Sequence, residues 1–374
     1  MRPLALAVLL AAGLLAWWLF SPRTPPPSDA PGIGDILGGA PEEGFERALA
    51  PRPFRFPADH GAHPGFRNEW WYFTGNLQTD RGRRFGFQLV FFRNALAPGK
   101  ADGQSPWRTH QTWMAHFALT DPGAGRFHAF ERLSRGAAGL AGARPDPLEI
   151  WLDDWFLKEK DGRWRLYAKE KGFSLSLSLS PRRRPVPQGE AGLSRKSAAP
   201  GNASYYYSVP RLRAQGRITL DGRAHRVSGL AWLDREWGTS ALADDQAGWD
   251  WFALQLDNGA DLMFYRLRRK DGGPDPHSAG SWMTADGRVT RLGANDVRLK
   301  VLEYWSSPRG GRYPVRWRLR IPSLDVDLKV APVMDNQELD LLVRYWEGAV
   351  DVAGVQAGKP VRGRGYLELA GYGD

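Results

Sequence analysis

Two carboxylates and an indole alternate within Gly229 to Ser240, which reads G-L-A-W-L-D-R-E-W-G-T-S. In an extended chain Trp232, Asp234 and Glu236 share one face, while Leu233, Arg235 and Trp237 share the other. At about 6 to 7 Å per two-residue step, like charges on a partly dry face raise the pKa of at least one acid. An acid that keeps its proton near neutral pH is a usable proton donor, and the adjoining indole suits an apolar substrate. The same residues also allow a structural reading, in which Asp234 or Glu236 pairs with Arg235 or another arginine at a barrel rim. A one-residue slip in register would exchange the two faces, so the sequence leaves open which of them lines a cavity.

Two further titratable groups join this set. Glu69 precedes a Trp pair and shares a face with Trp71 and Phe73, as either a buried carboxylate in an aromatic cavity or the anchor of an ion pair. His116 points opposite to Trp113, Ala115 and Phe117, and is either a core or rim histidine or, beside Asp234, a proton partner. Other chemistries find no motif. There is no G-x-S-x-G elbow, and the seven histidines offer no H-E-x-x-H. His60 and His63 lie in a Pro/Gly-rich loop without an obvious third ligand, and Gly363 and Gly365 belong to a strand rather than a phosphate loop. No cofactor and no metal are expected.

The absence of cysteine removes disulfides, zinc thiolates, iron–sulfur clusters, cysteine nucleophiles and a lipidated N-terminal cysteine. The formal net charge of +10 would suit a nucleic-acid binder, but the basic residues are dispersed. Their densest groups, Arg182 to Arg184 and Arg266 to Lys270, read as a solvated surface able to face lipid headgroups, and no nucleic acid is expected.

The elements that must carry these residues are strands. Aromatic residues make up 12% of the 374 positions and fall in alternating rather than helical runs. Asn68 to Leu77 and Arg84 to Phe92 form an aromatic hairpin, echoed by Trp249 to Leu256, a turn at Asp257-Asn258-Gly259, and Leu262 to Arg266. Val227 to Asp234 can likewise be laid over Val361 to Glu368, aromatic on aromatic and acid on acid. Each half thus opens with an aromatic hairpin and closes with a similar strand, as expected of a duplicated antiparallel barrel. Short alternating segments lie between: Trp113 to Thr120, Leu148 to Phe156, Trp164 to Ala168, Phe173 to Ser180, Ile218 to Leu220, Arg298 to Tyr304 and Val315 to Ile321. Pro181 to Asn202 reads as a long surface loop, either mobile or covering a pocket mouth.

Leu4 to Phe20 is an uninterrupted apolar run, expected as an uncleaved signal anchor with a cleaved signal peptide as the alternative. Residues 21–50 are a Pro/Gly-rich tether, 51–240 a first domain and 241–374 a second.

Together, Asn68-Glu-Trp-Trp-Tyr72, Ala115 to Asp121, Tyr205-Tyr-Tyr-Ser208 with Pro210-Arg-Leu212, Gly229 to Ser240, Tyr345-Trp-Glu-Gly348 and Gly363 to Leu369 resemble the AttH-like proteins, relatives of the carotenoid 1,2-hydratases (CrtC). The resemblance covers roughly Arg55 to Tyr372. It implies an all-β fold of two consecutive lipocalin-like (calycin-type) barrels, a secreted or periplasmic setting and frequent genomic association with an FtsX-type ABC permease, while the apolar run at 4–20 is what is expected to hold the chain at the inner membrane. It also implies cofactor-free chemistry, in which an aspartic acid protonates an isoprenoid double bond, aromatic rings stabilise the cation and water attacks. Asp234 stands at the matching position, although the hydratases carry an Asp-His-Asn pattern there and this chain has Asp234-Arg235-Glu236.

The expected site therefore comprises Asp234 as acid, with Glu236, Glu69 and His116 tuning it. Trp70, Trp71, Tyr72, Trp232, Trp237 and Tyr206 form the ligand wall. The expected ligand is an elongated apolar molecule, a lipid or isoprenoid. Three roles stay open: an enzyme, a carrier handing lipid to a permease, and a scaffold with packed interiors.

Overall fold

The computed structural model describes residues 43–99, 101, 103, 105–240 and 242–372. The expected anchor at 4–20 and the tether up to 42 lie outside the described residues. Among the described residues no helix is long and apolar enough to cross a membrane, and the only helical turns are the two 3-10 segments Ala58–His60 and Pro322–Leu324.

All other regular structure is antiparallel strand. The first sheet comprises β1 (Asn68–Gln78), β2 (Arg84–Ala95), β3 (Gln111–Asp121), β4 (Arg126–Arg135), β5 (Ala141–Pro145), β6 (Leu148–Leu152), β7 (Trp155–Lys160), β8 (Arg163–Glu170), β9 (Phe173–Pro181), β10 (Val186–Pro187), β11 (Leu193–Arg195), β12 (Ala203–Leu220) and β13 (Arg223–Gly238). The second comprises β14 (Gln246–Leu256), β15 (Asp261–Arg269), β16 (Ala279–Met283), β17 (Val289–Gly293), β18 (Arg298–Ser306), β19 (Arg312–Ile321), β20 (Val326–Pro332), β21 (Glu338–Asp340), β22 (Arg344–Gln356) and β23 (Lys359–Ala370).

The strand order reveals the duplication. In the first sheet it is β4-β3-β2-β1-β13-β12-β9-β8-β7-β6-β5, and in the second β17-β16-β15-β14-β23-β22-β20-β19-β18. Each sheet therefore joins its opening aromatic strand to its closing strand, β1 to β13 and β14 to β23. The sheets curl into near-barrels, and β6 comes round against β3 and β4. This is the all-β duplicated barrel that the alternating patterns imply, in the lipocalin-like form that the resemblance implies. The segment expected only around Ile218 to Leu220 is the end of the 18-residue β12.

Period two sorts the long strands into an inner and an outer face. In the first barrel Trp71, Phe73, Leu233 and Trp237 point inward, into a core completed by the leucines of β8 and β9. A second core fills the other barrel with Phe252, Trp317, Trp346 and Leu367. The opposite faces of β1, β13, β14 and β23 are also buried, because the barrels pack against each other through Tyr72, Trp232, Trp251, Tyr345 and Tyr366. Strands apolar on both faces are what a doubly covered sheet requires.

The segment from Pro181 to Asn202 is not a free surface loop. Gln188, Leu193 and Ser194 are fully or almost fully buried, and Val186 belongs to the inter-barrel core. Gln188 Nε2 donates to Ser208 Oγ at 3.0 Å, and Ser281 Oγ of the second barrel donates to Gln188 Oε1 at 2.8 Å. Arg183, expected on a solvated basic surface, instead donates to the Thr284 carbonyl at 2.7 Å and pairs with Asp261. The segment is a strap tying one barrel to the other. Polar partners buried on both sides account for its order despite a loop-like composition.

Candidate active site between the barrels

Alternation of β13 settles which face of Gly229 to Ser240 carries the acids. Leu233, Arg235 and Trp237 enter the first barrel, whereas Trp232, Asp234 and Glu236 leave it and meet the second. The acids therefore lie between the two barrels rather than in a lumen. They line a cleft with Trp70, Tyr72 and Phe92 of β1 and β2, Tyr206 of β12, Trp249 and Trp251 of β14, Tyr265 and Leu267 of β15, and Glu368 of β23. Ser240 and Leu242, at the crossing between barrels, and Lys196, at the end of the strap, complete the wall. Counted out to its open mouth, and so including open solvent, the cleft encloses ≈ 790 Å³.

Asp234 is held by three donors. Ser208 Oγ donates to Oδ1 at 2.5 Å, Trp232 Nε1 donates to Oδ1 at 2.7 Å, and the Tyr206 hydroxyl donates to Oδ2. Tyr206 in turn accepts from Trp251 Nε1 of the other barrel at 3.1 Å. Burial pushes the Asp234 carboxyl up to about 7 against the pull of these donors, and the charge of Glu236 adds to the rise. Glu236 accepts from Ser204 and pairs with Lys196 Nζ at 2.8 Å. Although burial opposes the charge on Lys196, Glu236 holds its ammonium above the usual lysine range.

The second barrel supplies a counterpart. Trp249 Nε1 donates to Glu368 Oε1 at 2.5 Å. Burial pushes Glu368 up to about 7, opposed by Trp249 and Glu347 and reinforced by the charge of Glu236. Glu347, directly paired with Glu368 across β22 and β23, accepts from the Tyr72 hydroxyl of the first barrel. Burial and the charge of Glu368 hold Glu347 well above the ordinary carboxyl range, so it keeps its proton.

The structure brings together Asp234, Glu236, Trp70, Tyr72 and Tyr206, with Trp232 standing behind Asp234 as its donor. It does not bring the rest of the expected set there. Glu69, Trp71 and Trp237 occupy the opposite face, inside the first barrel. Glu69 is fully buried and receives hydrogen bonds from Arg93 and Arg235 and from the His63 backbone at 3.1 Å. Against the cost of burial, the two guanidiniums hold Glu69 far below the usual carboxylate range, which makes it an ion-pair anchor. His63 stacks on Trp237 with ring centroids 3.8 Å apart, and Arg235 lies 4.0 Å over Trp71. His116 sits at the barrel–barrel contact, 2.8 Å from the Tyr345 hydroxyl and 3.1 Å from Glu131, and is not among the residues lining the cleft. Among the described residues no group of His, Cys, Asp or Glu has the arrangement of a metal site.

Several wall residues went unnamed as site residues. Glu368, Trp249 and Trp251 had a signal: the repeat places them level with Asp234, Trp70 and Tyr72, and the pairings Tyr72 with Asp234 and Trp251 with Glu368 repeat that register. Lys196 had none, because it lies in a Pro/Gly/Ser-rich segment without periodicity.

Comparison with known proteins agrees with this architecture. Residues 47–372 match the AttH-like family. A crystal structure of an AttH from Nitrosomonas europaea is 37% identical, with a TM-score of 0.78 over 88% of this chain and 99% of that one. Kievitone hydratase from Nectria haematococca shares the fold at 16% identity, with a TM-score of 0.64 over 88% of this chain and 97% of its own. The dehydratase asqC of Emericella nidulans is 22% identical over 216 residues, 55% of this chain. The chain spans about 60% of that relative's length. On the family match and the shared fold, the chain is a member of the AttH-like family.

Proposed function

We propose that the protein is a cofactor-free hydro-lyase, adding water to or removing it from a carbon–carbon bond of an apolar molecule bound between its barrels. One observation carries the reading: two carboxyls, Asp234 and Glu368, each held near neutrality, line a single aromatic cleft. At neutral pH such a pair supplies one acid and one base. The hydratase and dehydratase activities named for two relatives support the same class of reaction.

In the hydration direction the Asp234 O–H bond breaks and its proton forms a C–H bond with one alkene carbon, leaving a cation on the other. Trp70, Tyr72, Trp249 and Trp251 line the cleft, and in this reading their rings stabilise that charge. A water oxygen then bonds to the cation and releases one proton to the Glu368 carboxylate. Returning that proton to Asp234 through solvent closes the cycle, and alkene plus water has become alcohol. Dehydration is the same path reversed. Tyr206, Ser208 and Trp232 orient Asp234 and stabilise the carboxylate left when it gives up its proton.

Asp234→Asn tests the reading against a non-catalytic carrier of the same ligand. An enzyme loses turnover and keeps its ligand, whereas a carrier is indifferent to the change. Unchanged turnover in the variant would overturn the assignment of Asp234.

A further inference from the structure

Among the described residues Lys196 is the one cation lining the cleft, and its surroundings constrain what can bind there. An ammonium has three N–H donors. The contacts of Lys196 account for two: Glu236 at 2.8 Å and Ser194 Oγ at 3.2 Å. Its charge also lies 4.4 Å from the centroid of Tyr265, whose hydroxyl is 2.7 Å from Ser194 Oγ. The strap fixes this end of the lysine, because Gln246 of the second barrel donates to the Lys196 carbonyl at 2.7 Å. Among the described residues no third hydrogen-bond acceptor faces the ammonium, so one strong donor remains at the strap side of the cleft.

The charge balance decides what that donor receives. Glu236 already matches the ammonium, and Asp234 and Glu368 can only add negative charge. A carboxylate would meet like charges without an unmatched cation, and a pure hydrocarbon would leave the donor without an acceptor in a partly dry site. A neutral oxygen satisfies both conditions.

We infer that Lys196 is the docking point for an uncharged oxygen of the substrate, so that the substrate is an oxygenated apolar molecule, an alcohol or carbonyl compound, rather than a hydrocarbon or an acid. This rests on the cleft being the reaction site. Lys196 acts here as a positioning and selectivity residue: the oxygen it holds sets which carbon of the apolar body reaches Asp234.

Three probes with a related ten-carbon skeleton test it: geraniol, myrcene and geranic acid, binding to the full chain and read by quenching of indole fluorescence at pH 8. Geraniol is expected to bind about tenfold more tightly than either of the others, the scale of one hydrogen bond to a charged group. Lys196→Met is expected to remove the difference between geraniol and myrcene, while Lys196→Arg keeps part of the preference. A thermal melt on each variant separates lost selectivity from lost folding. Myrcene binding as tightly as geraniol, or a geraniol preference that survives in a folded Lys196→Met, would overturn the role of Lys196 and leave the hydro-lyase reading standing. Geranic acid binding tightest would overturn the uncharged class. Failure of all three to bind would overturn this inference and the cleft reading together.

Discussion

Asp234 and Glu368 occupy equivalent positions in the two barrels and line the same cleft. Asp234 lies opposite Tyr72 in the pairing of first and last strands, and Glu368 lies opposite Trp251 in the corresponding pairing. Each accepts from the indole two residues before a cleft-facing position, Trp232 for Asp234 and Trp249 for Glu368. Duplication of a barrel with one outward-facing acid, followed by packing of the two acid-bearing faces, produces a two-carboxyl site that neither barrel holds alone. The asymmetry lies in the neighbours: Ser208 and Tyr206 donate to Asp234, whereas Glu347 stands beside Glu368.

This arrangement predicts the sign of a pH effect on stability. Asp234 has a folded pKa of about 7 against an ordinary 3.8, so the folded state binds the extra proton between those values. Its contribution is complete below pH 4 and is lost as pH rises toward 7. Replacing Asp234 by Asn removes that loss, so the stability of the variant relative to the natural protein should rise between pH 4 and pH 8 by at most about 4 kcal/mol. Urea unfolding at a series of pH values measures it. A stability difference independent of pH would show that Asp234 titrates normally.

The same two groups predict a bell-shaped rate profile with its maximum near neutrality. Activity needs a proton on one carboxyl and none on the other, and both titrate at about 7. Glu368→Gln should abolish the limb governed by the base and lower the maximal rate by about 10²-fold or more. A profile unaltered by that change would remove Glu368 from the reaction.

Inside the first barrel, Glu69 makes a separate prediction. It compensates two fully buried guanidiniums, Arg93 and Arg235. Glu69→Gln leaves those charges buried without their counter-ion and should cost about 3 to 5 kcal/mol. Chemical denaturation provides the number. A loss of rate without a loss of stability would instead bring Glu69 back into the catalytic set.

Gly86 tests the packing of barrel on barrel. A Cβ there would stand 2.7 Å from the Tyr366 hydroxyl and 2.8 Å from Ala349 Cβ, both on the other barrel. Gly86→Val should therefore force the barrels apart and cost about 1 to 3 kcal/mol by overpacking. Calorimetry reads the loss, and an unchanged melting temperature would show that the contact is looser than these distances.

Much of this architecture was legible in period two and in the repeat. The alternation W-L-D-R-E-W separated Asp234 from Arg235 correctly, and the matched closing strands set Glu368 level with Asp234, although it was not among the expected site residues. The same alternation splits Asn68-Glu-Trp-Trp-Tyr72, so Trp71 could not share a wall with Trp70 and Tyr72. Grouping all three by aromatic character overlooked it. What the pattern could not carry was the partner of the outer face. A strand buried on both sides reads alike whether a lumen or a second barrel covers it, and the acids of β13 meet residues from β14 and β23 only through docking. Lys196 was hidden for a further reason: its place depends on long-range anchors such as Arg183 with Asp261, which leave no local signature.

Oxygen exchange with solvent reports directly on a cation formed in the cleft. A tertiary allylic alcohol such as linalool, incubated with the protein in ¹⁸O-labelled water, exchanges its hydroxyl oxygen each time water leaves and returns through a common cation. Label incorporation is expected with the natural protein, at a rate lowered about 10²-fold or more in Asp234→Asn, with unchanged ligand binding in that variant. Equal incorporation by both proteins, or none by a protein whose cleft is saturated with the alcohol, would contradict it.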